Sequence, residues 1–222
     1  RSGDVLALAR LYGIPDKQTE DLLAMAEASR SSGYIEEFGS AVPESFSLYV
    51  DLEGGAVALT KYESELVSGL LQTEEYARAA IEVDRSLSAM VIDQRVAFRM
   101  QRQRAVLGRK HPGRLDVVMT EGALSVRVGS PAVMEAQIAH LRAVDKRDGV
   151  SVRVLPFENG LHAAMQGPFT ILDFADPDDP SLVYLESFVG SRYIERPKRV
   201  AEFRAAFDVI RAQSVPIEEY RE

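Results

Sequence analysis

Two short β-branched runs bracket one amphipathic helix in the middle of the chain, and this order restricts the fold more than any other feature. Leu115-Asp-Val-Val-Met119 and Ser151-Val-Arg-Val-Leu155 read as strands, the second closed by Pro156. Between them Ser130-Pro131 opens a helix in which Met134, Ile138 and Leu141 fall at i, i+4 and i+7, the pattern of one buried face. A strand, a helix and a strand at this spacing fit a crossover unit, the long connection that parallel strands require.

The flanking segments extend that unit. Three β segments follow closely at 168–174, 182–187 and 189–194, and the turn-rich Asp176-Pro-Asp-Asp-Pro180 between the first two predicts a hairpin with antiparallel strands. Pro197 then starts a long helix with Val200, Phe203, Phe207 and Ile210 in helical rhythm, expected to pack across the sheet, and Ser214-Val215-Pro216 is expected to begin a terminal helical turn. Upstream, Pro43 can open a helix ending at Gly54-Gly55 that turns Phe46, Tyr49 and Val50 inward, followed by a strand over 56–62. Thr73 caps a helix over 74–84 with Glu74 and Glu75 in its first turn, where the helix dipole favours acids, and a longer helix spans 88–108. Two helices at 4–12 and 16–30, separated by Gly13-Ile14-Pro15, bury little alone and read as the end of a helical domain whose beginning is absent. The expected fold is therefore mixed α/β. Its central sheet has about five mixed strands flanked by helices over 33–222, with the helical remnant at 1–32.

Charge narrows the functional classes. Thirty-four acidic against 26 basic residues give a formal charge of −8, which repels a phosphate backbone, so the chain is not expected to bind nucleic acid by itself. No cysteine occurs, which removes disulfides, thiol nucleophiles and thiolate metal sites together and is compatible with a cytoplasmic location. No apolar run reaches the roughly 18 residues of a membrane span. A chain that opens on Arg1 is expected to be a piece of a longer one.

No Gly-x-Ser-x-Gly elbow, phosphate loop, Gly-x-Gly-x-x-Gly after a strand or His-Glu-x-x-His occurs, so no catalytic residues are expected. His111, His140 and His162 are scattered, and Asp176-Pro-Asp178-Asp179 lacks the spacing and glycine of a calcium loop, so no metal or other cofactor is expected either. The most charged feature is the helix carrying Arg95, Arg99, Arg102 and Arg104. Arg99 and Arg102 can clamp a carboxylate, a phosphate or an acidic partner, or can lie against acids such as Glu74, Glu75 or Glu121. Gly69-Leu70-Leu71-Gln72-Thr73 reads as a turn whose leucines plug the core, with Gln72 and Tyr76 free for a ligand in the alternative reading. Gly160-Leu-His162 to Gly167-Pro-Phe169 is a plain loop or a flexible cover over a pocket.

The stretch Tyr62-Glu63, Gly69-Leu70-Leu71-Gln72-Thr73 and Tyr76-Ala77-Arg78 resembles the C-terminal domain of XRE-type helix-turn-helix regulators of high-GC Gram-positive bacteria. That domain is often labelled antitoxin-like or of unknown function. Arg99 with Arg102-Gln103, Glu121 with Ala123-Leu124, Gln137 with Leu141, Val152-Arg-Val-Leu-Pro156, Gly160 with His162, Gly167-Pro-Phe169 and Tyr184 with Glu186 extend the likeness. Ser68 stands where the family has proline, and Tyr34 where it commonly has a tryptophan pair. The resemblance implies a transcription regulator whose preceding module lays a recognition helix in the DNA major groove, residues 1–32 being the last helices of that module. It further implies that the present part forms a homodimer and receives either a small toxin-like partner protein or a small-molecule effector. The candidate ligand- or partner-binding residues are Tyr62, Gln72, Tyr76, Arg99, Arg102, Gln103, Glu121, His162 and Glu186. In the small-molecule alternative Arg99, Gln103, Glu121 and His162 converge on a pocket; an enzyme of unassigned reaction is the remaining reading.

Overall fold

Strand alternation and helix caps account for most of the architecture. The computed structural model describes residues 8–9, 11–15, 18–19, 38, 44–108, 113–176 and 178–221. The first half runs α1 (Glu44–Gly55), β1 (Ala58–Glu63), a 3-10 turn (Gly69–Leu71), α2 (Glu74–Ile81), α3 (Ala89–Leu107) and β2 (Arg114–Thr120). The second half runs α4 (Glu121–Ser125), α5 (Pro131–Asp145), β3 (Val150–Leu155), a second 3-10 turn (Phe157–Asn159) and β4 (Phe169–Asp173). It ends with β5 (Leu182–Ser187), β6 (Gly190–Ile194), α6 (Pro197–Gln213) and β7 (Val215–Pro216). Thr73, Ser88, Thr120 and Ser130 each begin a helix by accepting a hydrogen bond from the amide three residues on, which satisfies a donor the helix leaves open.

The fold is mixed α/β, with one mixed sheet in the order β6-β5-β4-β1-β2-β3-β7. The expected crossover is present: β2 runs parallel to β3, with Val117 opposite Val152, and β1 runs parallel to β2 on the other side. The expected hairpin is present too, since β4 pairs antiparallel with β5, and β4 also closes antiparallel on β1. Seven strands replace the five or so expected. Val215–Pro216, expected to begin a helical turn, is instead a short strand antiparallel to Arg153 and Val154. Arg153 draws it in by donating to the hydroxyl of Ser214 at 2.8 Å and to its carbonyl, and the Ile217 amide donates to the Val152 carbonyl at 3.0 Å.

Alternation splits the core in two. Leu59, Leu115, Val117, Met119, Val152, Val154 and Leu172 face one side, where α1, α2, α3 and α5 cover them. Tyr62, Val118, Leu155, Phe169, Ile171 and Val183 face the other, where Val200, Phe207 and Ile210 of α6 pack. Most of the two helices expected over 4–12 and 16–30 lies outside the described residues. Among those described, no helix is long and apolar enough to cross a membrane.

Candidate functional site

β1 departs from an apolar strand at its end, where Lys61 and Glu63 follow Leu59 on the face beneath α1 and α3. The Lys61 ammonium is buried and donates to the Tyr49 hydroxyl at 3.1 Å and to the Thr170 hydroxyl of β4 at 2.9 Å, with Glu63 at 3.5 Å. Tyr49 and Glu53 sit one turn apart on α1, and the tyrosine hydroxyl donates to the Glu53 carboxylate at 2.6 Å. Arg102 of α3 closes the network from above. Its Nε and Nη2 donate to the two Glu53 oxygens at 2.5 and 2.9 Å, and its guanidinium stands 5.1 Å from the Phe46 ring centroid.

The protonation states follow from these partners. Burial by itself would raise the Glu53 carboxyl, but the charge and hydrogen bonds of Arg102 hold it below the ordinary carboxylate range. Burial would likewise depress Lys61, yet Tyr49, Glu63 and Glu53 together raise it above an ordinary lysine. Tyr49 is pushed up to about 12 by burial and by the adjacent Glu53. The Glu53, Arg102, Lys61 and Tyr49 network is therefore one carboxylate, two cations and a neutral phenol. Glu53, Lys61 and Tyr49 are all displaced away from neutrality, which suits a fixed electrostatic floor rather than proton transfer.

Above that floor lies a cleft of about 420 Å³, walled by Phe46, Leu66, Phe98 and Phe169 and bounded by the polar ends of Gln72, Arg95, Arg99 and Glu186. Arg99 is the unusual member. Among the described residues its hydrogen-bond partner is the neutral carboxamide oxygen of Gln72, and no carboxylate lies within ion-pair distance of it. Burial, and then the charge of Arg102, pull its guanidinium down to about 10, against the opposing pull of Glu186.

The wall holding Gln72 is built by amide side chains. Gln72 donates to the Val67 carbonyl at 2.7 Å, and the Tyr76 hydroxyl accepts from the Val67 amide at 3.3 Å. Gln103 donates to the carbonyls of Gly69 and Gln72, both at 2.8 Å. Gln137, fully buried on α5, donates to the Leu71 carbonyl and accepts from the Thr73 amide, both at 2.7 Å. Leu70 and Leu71 are fully buried below the turn, as a core plug should be.

Of the residues singled out from sequence, Tyr62, Gln72, Arg99, Arg102 and Glu186 line this cleft, whereas Tyr76 and Gln103 stand behind it and shape the turn. Glu121 does not line it; at the start of α4 it accepts from the Phe157 amide at 2.8 Å and so ties down the exit of β3. His162 does not line it either. Its Nε2 lies 3.4 Å from the Tyr62 hydroxyl and its Nδ1 accepts from the Ala164 amide at 3.3 Å, while burial lowers its pKa. The four side chains expected to converge on one pocket are thus divided, and the acid that takes Arg102 is Glu53 rather than Glu74, Glu75 or Glu121. Sequence reasoning missed Glu53 and Lys61, and although it turned Tyr49 inward and counted Glu63 in the family likeness, it gave neither a place in the site. The signal for Lys61 and Glu63 was present, two opposite charges at i and i+2 in a strand otherwise apolar on that face.

Among the described residues no group of three or more His, Asp or Glu side chains is placed to hold a metal ion. Fold and site together define a mixed α/β domain with a polar, ion-paired cleft over the antiparallel strands β1, β4 and β5. Residues 46–222 match the family described as Domain of unknown function (DUF5753), and the chain belongs to that family. No curated protein and no solved structure matches the chain.

Proposed function

We propose that this domain receives a small-molecule signal in the cleft between α1, α3 and the sheet. On this reading it is the effector module of a cytoplasmic XRE-type transcription regulator of high-GC Gram-positive bacteria, a homodimer that meets DNA through a preceding helix-turn-helix module. The observation that carries the reading is Arg99, a partly buried cation whose hydrogen-bond partner among the described residues is a neutral amide, in a concave site. Buried charge without a counter-charge is costly, and a pocket of this size with a few converging polar groups is the usual form of a ligand site. The regulatory context rests on the sequence resemblance alone.

A toxin-like partner protein is the second reading. It is favoured by Phe188 and Val189 at the tip between β5 and β6, which expose 108% and 94% of their surface. Native mass spectrometry of the protein purified from its own host separates the two. A retained small molecule, released on denaturation, is the expected result; a stoichiometric second polypeptide with no small molecule would transfer the signal-receiving role to the hairpin tip.

A further inference from the structure

The charge arrangement around Arg99 specifies the ligand class, on the reading that the cleft is a small-molecule receptor. Four cations, Lys61, Arg95, Arg99 and Arg102, face or underlie the cleft, and two of them have carboxylates in the same network: Arg102 has Glu53, and Lys61 has Glu63. Arg99 has the Gln72 amide oxygen, a neutral acceptor for a side chain built to hold two oxygens at once. With the exposed Glu186 included, four cations stand against the three carboxylates Glu53, Glu63 and Glu186, so the excess positive charge is about one unit, and Arg99 is the cation in direct contact with a neutral acceptor.

We infer that the cleft takes a monocarboxylic acid, whose carboxylate engages the Arg99 guanidinium in place of the Gln72 amide oxygen and whose apolar body lies against Phe46, Leu66 and Phe98. A dianion such as a phosphate monoester fits poorly. It would bring two negative charges to a surplus of about one while Glu63 and Glu186 bound the same space, and like charges at close range destabilise a complex. A cationic ligand would face Arg99 and Arg95 across the cleft. A neutral amide could only repeat what Gln72 already supplies. Entry of an acid also has a structural consequence, because Gln72 belongs to the turn that Gln103 and Gln137 tie to α3 and α5. Releasing its oxygen from Arg99 alters one of the bonds that fix that turn.

The test compares three probes of nearly equal shape, benzoate, benzamide and benzylamine, titrated into the folded protein by protein-observed NMR. Benzoate is expected to bind at the cleft and to outcompete its amide and amine counterparts. Arg99→Gln is expected to weaken benzoate roughly 10- to 100-fold, the usual effect of losing a charged hydrogen bond. Glu186→Gln, on an exposed side chain, is expected to tighten it. Far-UV circular dichroism establishes that each variant is folded; should Arg99→Gln unfold, Arg99→Lys retains the charge without the fork and is expected to show an intermediate loss. The inference is overturned if benzamide or benzylamine binds as well as benzoate, if benzoate does not bind at millimolar concentration, or if its binding ignores Arg99 and Glu186. A preference for the amide or amine with shifts mapped to the cleft would leave the receptor reading intact. Silence from all three probes, together with no small molecule retained from the host, would remove both.

Discussion

Replacing Glu53 by alanine is the sharpest probe of the cleft floor. Glu53 is 0% exposed and Arg102 6%, so the variant leaves a guanidinium in the interior with its two-point acceptor removed. Breaking a buried pair by deleting one partner costs about 3–5 kcal/mol, because the survivor keeps its desolvation penalty without the attraction that offset it. For a chain of this length that corresponds to a fall in Tm of roughly 6–20 °C. The Phe46 ring at 5.1 Å from the guanidinium softens the loss but cannot supply acceptors for the two freed N–H groups. Chemical denaturation of Glu53→Ala, Arg102→Met and the combination Glu53→Met with Arg102→Met gives a cycle. The double replacement is expected to recover most of the stability, since apolar groups of similar volume need no counter-charge. A single variant costing less than about 1 kcal/mol, or a double variant costing the sum of the singles, would refute the description of this pair as buried and mutually dependent.

Three further outcomes follow from the same geometry. Gln137→Leu leaves the Leu71 carbonyl and the Thr73 amide without their partner and is expected to lower stability by about 2–3 kcal/mol in urea denaturation; an unchanged midpoint would mean those groups find other partners at no cost. Leu71→Ala empties a fully buried site under the turn and is expected to cost about 2–5 kcal/mol by the same assay. Burial lowers the pKa of both His140, which also faces the charge of Arg147, and His162. The unfolded chain therefore takes up protons near pH 6.5 that the folded chain refuses, so this contribution to stability is present above about pH 6.5, declines below it and is lost as pH falls through the lower folded pKa. A His140→Gln, His162→Gln variant is expected to lose less stability than the parent between about pH 7 and pH 5, and equal slopes would contradict the assignment.

How much of this was legible in the sequence depends on the range over which each interaction acts. The crossover from β2 through α5 to β3 was readable because apolar periodicity is local, and so were the Thr73 and Ser130 helix starts. β7 was not, because two residues carry no period and Val215–Pro216 becomes a strand only when Arg153 and Val152 hold it. Arg99, Arg102 and Gln72 were picked out by residue chemistry. Their partners were not, because Glu53 lies 49 positions from Arg102 and a glutamate on a helix reads as a solvated charge until the chain folds over it. His162 and Glu121 illustrate the converse. Both are polar residues in suggestive sequence positions, yet His162 is held outside the cleft against the Tyr62 hydroxyl and the Ala164 amide, and Glu121, just after the Thr120 cap of α4, is employed at the Phe157 amide.

A crystal structure of the protein soaked with benzoate tests the central claim most directly, because it reports on one atom pair. The account predicts a carboxylate on the Arg99 guanidinium, with the Gln72 amide oxygen displaced and Arg102 still on Glu53. Benzoate seated elsewhere, with the Arg99 to Gln72 hydrogen bond unbroken, would contradict it.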